Sequence, residues 1–284
     1  MILDYHMHLE PDHHASKCPY DVERVRLYVE SARARGTGEI GVSEHCNRFS
    51  AFRSVMGYLL DEVEGEELRA WLELSFTEEL DRYVEAVLQA KAEGLPVKLS
   101  LEVDYLPGQE DAIRRIVSAY PFDYVIGSVH FIGAWGIDIS PEIGWPQRSV
   151  DQAYLDYFRL LEMAARSGLF DTLAHPDLIK KFGHRPNFPL DELYDEIARV
   201  IKESGVAAEI SSAGLFKPVG EIYPAQALLE RFHDRGVPVT LGSDAHEPHH
   251  VSQGLDRAVQ AAVAAGYRTV TRFDGRRPVQ VELG

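Results

Sequence analysis

A regular alternation of short apolar segments with longer amphipathic ones constrains the fold of this 284-residue chain more than any other feature. The apolar segments are typical of buried strands and the amphipathic ones of helices. The predicted strands lie at residues 2–5, 39–43, 97–103, 124–127, 171–174, 206–210 and 237–241. The predicted helices lie at about 21–35, 77–93, 109–119, 150–166, 190–204, 223–235 and 252–265, and a short extra strand is expected at 269–273. Successive strand-then-helix units imply parallel strands with right-handed crossovers, so we expect an α/β fold and favour a closed barrel.

Two stretches interrupt this alternation. Residues 47–75 place aromatic side chains among charged ones without a clear period, and residues 131–149 are rich in Gly, Trp and Pro. We interpret both as loops inserted into a single domain that spans residues 1–284, and we expect the first to fold over the site formed by the strand ends.

The composition excludes several classes of partner. A formal net charge of −16 argues against binding of nucleic acid, because such binding depends on neutralising phosphates with Lys and Arg. A small phosphate ester is still compatible, since it needs only a local cluster of positive charge or a metal. We find no apolar run of transmembrane length and no leading targeting segment, so we predict a cytoplasmic protein without a membrane partner.

Two histidines directly follow the first predicted strand. His6 and His8 lie two residues apart, so both imidazoles leave an extended chain on the same face. Two neutral imidazoles that converge on one point can bind zinc, manganese or iron. By itself the pair is more typical of two partly exposed histidines than of a metal site, so the positions of the other polar residues must decide.

Further histidines and carboxylates lie at, or just past, the carboxyl ends of the predicted strands. In a parallel barrel these ends share one face, where active sites are found. The residues concerned are His6, His8, His45, Glu102, His130, His175, Asp244 and His246. Any one of them could be a loop residue satisfied by a backbone group, but the whole set predicts one shared site.

This set is too large for a structural zinc site, which has four ligands, usually including cysteines. Histidines and carboxylates in this number suit two or three divalent ions, zinc, iron or manganese, with positions left open for water and substrate. Glu102 is the natural bridge between two of these ions. A shared site of this kind could hold a hydroxide of lowered pKa as an in-line nucleophile.

Several motifs resemble those of the polymerase-and-histidinol-phosphatase (PHP) family, in its free-standing histidinol-phosphatase branch. The resemblance covers most of the chain, from His6 to about His246. The motifs are Leu101-Glu102-Val103-Asp104-Tyr105, Gly127-Ser128-Val129-His130, Leu173-Ala174-His175-Pro176-Asp177, and Glu209-Ile210-Ser211-Ser212-Ala213-Gly214-Leu215-Phe216-Lys217-Pro218 with Tyr223-Pro224 after it. The resemblance implies a distorted, TIM-like (β/α)7 barrel that forms one PHP-type phosphoesterase domain. It also implies metal-dependent hydrolysis of L-histidinol phosphate to L-histidinol and phosphate in histidine biosynthesis, and it leaves open whether the chain forms an oligomer.

The resemblance also implies a ligand set for each of three ions. His6, His8, Glu102 and Asp244 would hold the first ion, and Glu102, His130 and His175 the second. The third would be held by His45, His246 and a histidine of the turn after the first strand, where His14 is favoured and His13 and Asp12 compete.

The remaining candidates concern phosphate binding and proton transfer. Arg48, Arg53 and Lys217 are the first candidates to bind phosphate, and Lys180, Lys181 and Arg185 follow His175 closely. The Gly-Leu-Arg-Lys sequence of the family is Gly-Leu-Phe-Lys here, so Phe216 replaces one candidate arginine. For proton transfer we expect a histidine or carboxylate such as His246 or Asp177.

Three other functions remain open from the sequence. A different small-molecule phosphoesterase would use the same site. An amidohydrolase-type hydrolase also has a barrel, an HxH pair and a late Asp, but we find no lysine at the end of the fourth strand, and Glu102 fits the phosphoesterase pattern. A non-catalytic metal-binding module is disfavoured because the ligand set is complete.

Overall fold

A computed structural model of the chain describes residues 2–10, 18–63 and 65–283. Within these residues the strands are β1 (Ile2–Asp4), β2 (Thr37–Val42), β3 (Val97–Leu99), β4 (Glu102–Asp104), β5 (Ile126–Ser128), β6 (Phe131–Ile132), β7 (Trp135–Gly136), β8 (Thr172–Leu173), β9 (Ala207–Ser211), β10 (Val239–Gly242), β11 (Thr269–Asp274) and β12 (Arg277–Glu282). The helices are α1 (Val22–Ala34), α2 (Arg53–Met56), α3 (Leu59–Glu62), α4 (Glu66–Glu73), α5 (Leu80–Ala92), α6 (Glu110–Val117), α7 (Val150–Arg166), α8 (Asp191–Ser204), α9 (Gln226–Arg235) and α10 (Leu255–Ala265). This order reproduces the predicted alternation.

The central strands pair in parallel and form two sheets. One sheet has the order β1-β2-β3 and the other the order β10-β9-β8-β5-β4. β3 and β4 are the two halves of the strand predicted at residues 97–103, separated by Ser100 and Leu101. The prediction of an α/β fold with a parallel sheet is therefore confirmed.

Backbone hydrogen bonds join the edges of these two sheets. On one side Tyr5 N–H donates to Leu241 O (2.8 Å), which connects the end of β1 to β10. On the other side Ser100 N–H donates to Val42 O (2.8 Å), and His45 and Glu102 form an isolated parallel bridge. The strands thus follow one another around a closed ring, with their carboxyl ends at one face, as in a TIM-like barrel.

The helices pack on the outside of the ring through one apolar face. In α7 the buried residues include Tyr154, Tyr157, Phe158 and Leu161, at the spacing that places side chains on one helical face. The Ser149 side chain accepts a hydrogen bond from Gln152 N–H and caps the helix. No described helix is long and apolar enough to cross a bilayer.

The helix predicted to start at residue 223 starts three residues later, at Gln226. The segment before it is held in an extended conformation, because Tyr223 and Ser211 exchange two backbone hydrogen bonds, of 3.0 and 2.6 Å. This bridge to β9 prevents the chain from turning into a helix earlier.

The helix predicted to start at residue 252 also starts late, at Leu255. Ser252 has a positive φ of 58°, and both its N–H and its hydroxyl donate to the buried carboxylate of Asp4. A tertiary hydrogen bond therefore overrides the local helical pattern.

The two predicted insertions contain short elements of their own. The segment 47–75 includes α2, α3 and α4, and the segment 131–149 contains the β6–β7 hairpin. They approach each other, since a side chain added at Gly136 would meet Leu68 of α4. That the chain forms a single domain with these loops as insertions stays a prediction.

A C-terminal hairpin closes the amino end of the barrel. The predicted strand at 269–273 is β11, which pairs antiparallel with β12, a strand that the sequence did not predict. We call β11 and β12 the hairpin plug. Its Arg272 donates to Glu39 of β2 (2.9 and 2.8 Å), and its Phe273 ring stacks on Tyr124 at 5.3 Å.

Candidate metal centre

The structure brings together the eight predicted strand-end residues at the carboxyl face of the barrel. We call this set the metal-ligand cluster; its members are His6, His8, His45, Glu102, His130, His175, Asp244 and His246. His14, His13 and Asp12 lie outside the described residues. The convergence follows from the topology, because parallel strands in a ring place their carboxyl ends side by side.

Glu102, at the first position of β4, lies in the middle of this cluster and is 1% exposed. Five imidazoles approach its carboxylate. The distances are 2.7 Å from His45 Nδ1, 3.2 Å from His175 Nε2, 3.5 Å from His6 Nε2, 3.7 Å from His130 Nε2 and 3.8 Å from His8 Nε2. A carboxylate in this position can face more than one cation at once.

Asp244 closes the side of the cluster next to β1. Its Oδ1 lies 3.1 Å from His8 Nε2 and 3.6 Å from His6 Nε2. The residue has a positive φ of 52°, and its N–H donates to His6 O at 2.7 Å. This conformation, which is uncommon outside glycine, turns the carboxylate towards the two histidines.

The third side of the cluster consists of stacked imidazoles. The His8 ring stacks on the rings of His45 and His246, at centroid distances of 3.9 and 4.3 Å, and those two rings are 5.5 Å from each other. The Nε2 atoms of His45 and His246 are 3.3 Å apart. His246 is partly exposed, with 14% of its side chain accessible, so this side faces the opening of the site.

Three groups of ligand atoms lie within 4.8 Å of one another: His6-His8-Asp244, His6-Glu102-His175 and His8-His45-His246. They resemble the three sets implied by the family but differ in detail. His130 is absent from the second group, although its Nε2 lies 3.7 Å from Glu102, and His6 and His8 each occur in two groups. The assignment of each residue to one ion therefore stays a prediction.

The donors of the cluster fit divalent cations. Among the described residues, neither carboxylate oxygen of Glu102 has a hydrogen-bond partner, and His6 Nε2 has none either, although all three atoms are buried. Buried polar atoms are rarely left in this state, because the loss of hydration is not compensated. Converging imidazole and carboxylate groups, with buried atoms of Glu102 and His6 left without hydrogen bonds to described residues, are the arrangement expected around metal ions.

The same packing shifts the acid–base equilibria of the cluster. Burial would raise the pKa of Glu102, but imidazoles such as His6 and His45 hold it well below its usual value. Burial would lower the pKa of His130, but Asp104 and Glu102 raise it to about 10. In the metal-free protein a proton on His130 thus balances neighbouring buried carboxylates, and a metal must compete with it.

A second layer of carboxylates contacts the imidazole nitrogens that point away from Glu102. Glu209 Oε1 lies 2.9 Å from His6 Nδ1, Asp104 Oδ1 lies 2.9 Å from His130 Nδ1, and Glu44 Oε1 lies 3.7 Å from His8 Nδ1. Such partners orient metal-binding histidines. Sequence reasoning assigned them no role, although a charged residue within an apolar strand must find a buried partner.

The two residues predicted to transfer protons lie in different surroundings. His246 belongs to the metal-ligand cluster. Asp177 is buried and forms an ion pair with Lys180 (2.9 Å), and it accepts a hydrogen bond from Ala225 N–H (2.8 Å). These contacts favour His246 over Asp177 for a chemical role, which stays a prediction for both.

The predicted phosphate-binding residues are also placed differently. Arg48 is buried and forms an ion pair with Glu10, Arg53 is exposed at the start of α2, and Lys217 is half-buried after the turn Ala213–Phe216. Arg48 also lies next to the metal-ligand cluster in the backbone, because its N–H donates to His45 O at 3.1 Å. A role in phosphate binding stays a prediction for all three.

Lys181, another basic residue that follows His175, forms an ion pair with Asp138. Its Nζ is 3.1 Å from Asp138 Oδ2 and 2.7 Å from Asp138 O. Burial would raise the pKa of Asp138, but Lys181, together with His130 and His175, lowers it. Asp138 therefore lies within electrostatic range of these two histidines.

With this fold and this site, the chain belongs to the PHP domain family, whose model matches residues 4–213. The family expectation drawn from the motifs is confirmed. Among its relatives, the probable histidinol-phosphatase of Deinococcus radiodurans is 43% identical over 199 residues, which cover 68% of this chain and 75% of that protein. The histidinol-phosphatase of Bacillus subtilis is 25% identical over 266 residues, which cover 86% of this chain and 95% of that protein.

A solved structure shares the fold over nearly the whole length. It is that of histidinol phosphate phosphatase from Lactococcus lactis, complexed with zinc, L-histidinol and phosphate. It aligns with a TM-score of 0.76 at 23% identity and covers 98% of each chain. The likeness supports the TIM-like architecture deduced from the strand ring.

Proposed function

We infer that this chain is a metal-dependent phosphomonoesterase that hydrolyses L-histidinol phosphate to L-histidinol and phosphate, a reaction of histidine biosynthesis. The observation that carries the inference is the buried Glu102 carboxylate, which faces five imidazoles without hydrogen bonds to them. The substrate follows from the relatives, of which the one in Deinococcus radiodurans is 43% identical and is named a probable histidinol-phosphatase.

The metal-ligand cluster would hold two or three divalent ions, zinc, iron or manganese. Such ions polarise phosphoryl oxygens and lower the pKa of water, which makes hydrolysis possible at neutral pH. We propose His6, His8, Glu102 and Asp244 for the first ion and Glu102, His130 and His175 for the second. His45, His246 and His14 are proposed for the third.

The other residues of the chain bind the substrate and handle protons. Lys181, which pairs with Asp138 at 3.1 Å, is our candidate to supply a positive charge to a phosphate dianion, with Lys217 as a second candidate. Arg48 is a weaker candidate, because its ion pair with Glu10 is more deeply buried than that of Lys181 with Asp138. His246, partly exposed at the opening, is our candidate to move a proton to the leaving group.

The metal-ligand cluster includes residues beyond the last residue that the family model matches. Asp244 and His246 lie beyond residue 213, yet Asp244 Oδ1 lies 3.1 Å from His8 Nε2. This contact supports our proposal that residues 1–284 form one domain. We also propose a cytoplasmic location, as expected for a biosynthetic enzyme.

The test is phosphate release by the purified, metal-reconstituted protein from L-histidinol phosphate, sugar phosphates, nucleotides and a generic aryl phosphate. We expect a strong preference for L-histidinol phosphate that a chelator abolishes and added metal restores. Weak and indiscriminate hydrolysis would point to another phosphoester. No hydrolysis of any substrate by the metal-loaded protein would refute the proposal.

A further inference from the structure

One carboxylate of the second layer contacts two histidines of the metal-ligand cluster rather than one. Asp104 and Glu44 each contact the imidazole of one histidine in the metal-ligand cluster. Glu209, on β9 and 2% exposed, contacts two of its histidines, because Oε1 lies 2.9 Å from His6 Nδ1 and Oε2 accepts a hydrogen bond from His175 N–H at 2.7 Å. Each carboxylate oxygen of Glu209 therefore contacts a different histidine.

The contact with His6 decides which nitrogen faces the metal-ligand cluster. An ionised carboxylate only accepts hydrogen bonds, so His6 Nδ1 must carry the proton. In the neutral ring, the form that binds a metal, the lone pair of His6 then lies on Nε2, which is 3.5 Å from Glu102 Oε2 and 3.6 Å from Asp244 Oδ1. Glu209 thus selects the tautomer that can bind a metal.

The contact with His175 supports an unusual backbone. His175 has a positive φ of 23°, a conformation that non-glycine residues seldom adopt. Its N–H is held by Glu209, and its Nε2 lies 3.2 Å from Glu102 Oε1. The hydrogen bond helps to keep the turn after β8 in the conformation that directs the imidazole inward.

The neighbouring strand leaves room for this carboxylate. A side chain added at Gly242 of β10 would place its Cβ 1.9 Å from Glu209 Oε1 and 2.6 Å from His6 Cβ. The glycine at this position is therefore required by the close approach of Glu209 to His6.

We propose that Glu209 is a positioning residue that aligns His6 and His175 together, and so couples two of the predicted ion sites through one side chain. It does not touch the reacting atoms. The proposal rests on the metal dependence of the proposed function, but its main readout, metal affinity, needs no substrate.

The test compares Glu209→Gln with the wild type and with Glu39→Gln. The substituted glutamine has the same shape as the glutamate but carries one acceptor and one donor group, so it cannot accept from both partners. Glu39→Gln is the matched control, because it changes another buried strand carboxylate at the opposite end of the barrel. Manganese(II) is titrated into each apo-protein against a competing chelator, the bound metal is counted by elemental analysis, and the fold is checked by circular dichroism.

We expect the affinity of Glu209→Gln for manganese to fall by about 10- to 100-fold, as for other residues that orient ligands, and kcat/KM to fall with it. Excess metal should restore part of the activity. Glu39→Gln should bind manganese as the wild type does. Wild-type manganese affinity in a folded Glu209→Gln protein would overturn the proposal.

If Glu209→Gln does not fold, a second variant tests the proposal. Glu209→Asp keeps the buried charge but shortens the side chain, so it cannot reach both partners. We expect weaker manganese binding here too, and wild-type affinity would again overturn the proposal. If the wild type binds manganese but does not hydrolyse L-histidinol phosphate, the proposed function fails while the role of Glu209 can still be measured.

Discussion

A buried carboxylate at the amino end of the barrel is paired with an arginine, whereas a buried carboxylate at the carboxyl end has no hydrogen bond within the described part of the chain. At the amino end, both carboxylate oxygens of Glu39 accept hydrogen bonds from Arg272 of the hairpin plug, at 2.9 and 2.8 Å. At the carboxyl end, neither oxygen of Glu102 has a hydrogen-bond partner among the described residues, although five imidazoles surround it.

The paired carboxylate stabilises the fold, whereas the carboxylate without hydrogen bonds is suited to bind a ligand. Stability favours the pairing of buried polar atoms, and Glu39 at the amino end is paired in this way. The carboxyl end holds strained conformations, such as the positive φ of Asp244 and of His175, as well as unpaired atoms. Such features gather where the protein binds something else.

The largest effect is expected for Glu102→Ala at the carboxyl end. Because Glu102 is the residue that all five imidazoles approach, its loss should remove bound metal and activity together, by more than the roughly 100-fold that follows loss of a residue behind a ligand. Elemental analysis and phosphate release measure the two effects. Activity near the wild-type level would show that Glu102 does not bridge the ions.

Acid should weaken metal binding at the same end. The pKa of His130 is raised to about 10 in the metal-free protein, where burial opposes and Asp104 and Glu102 favour the protonated form. Below this pH a metal must displace the proton, so the affinity should fall by about tenfold per pH unit for each proton displaced. Manganese titrations at pH 8, 7 and 6 give the slope. A flat profile would mean that the imidazoles are already deprotonated.

A smaller effect is expected for Lys181, the cation paired with Asp138. Lys181→Ala should lower kcat/KM for L-histidinol phosphate by about 10- to 100-fold, the size expected for a hydrogen bond to a charged group. Lys217→Ala should have a smaller effect, because Lys217 is not seen in contact with the cluster. Lys202→Ala, which removes a lysine bound to Gly236 O, serves as the control. Equal kinetics for Lys181→Ala and the control would exclude Lys181 from the phosphate site.

The sequence predicted the carboxyl end better than the amino end. Positions such as His6 and Asp244 follow directly from the strands, because a strand end in a parallel barrel fixes which residues meet. The hairpin plug was only half predicted. The alternation Val279-Gln280-Val281-Glu282 is short, follows Pro278 and lies on a mostly exposed strand, so it is a weak strand signal by itself. β12 depends on pairing with β11 and on contacts of that hairpin with the barrel, as between Arg272 and Glu39.

The contacts of Glu209 within the site could not be predicted from the sequence. It lies inside the apolar strand predicted at 206–210, where its charge indicates only that it needs some partner. Its two partners are 203 residues away in sequence, at His6, and 34 residues away, at His175. Contacts of this range depend on barrel closure and on the space left by Gly242, which strand and helix patterns do not specify.

The smallest effect is expected for Glu39→Gln at the amino end, and it should fall on stability alone. The variant should lose about 1–2 kcal/mol of unfolding free energy, at the lower end for a charged hydrogen bond because Arg272 is 36% exposed. Burial would raise the pKa of Glu39, but Arg272 and the Tyr5 hydroxyl hold it below its ordinary value of 4.5. A carboxyl whose pKa is lowered in the folded state stabilises the protein above its unfolded pKa, and this contribution is lost as the pH falls through the folded pKa. Denaturant unfolding of both proteins should therefore show the widest gap above pH 5 and a narrowing gap in more acidic solution. A gap that is constant with pH, or a change in manganese affinity, would contradict the separation of the two ends.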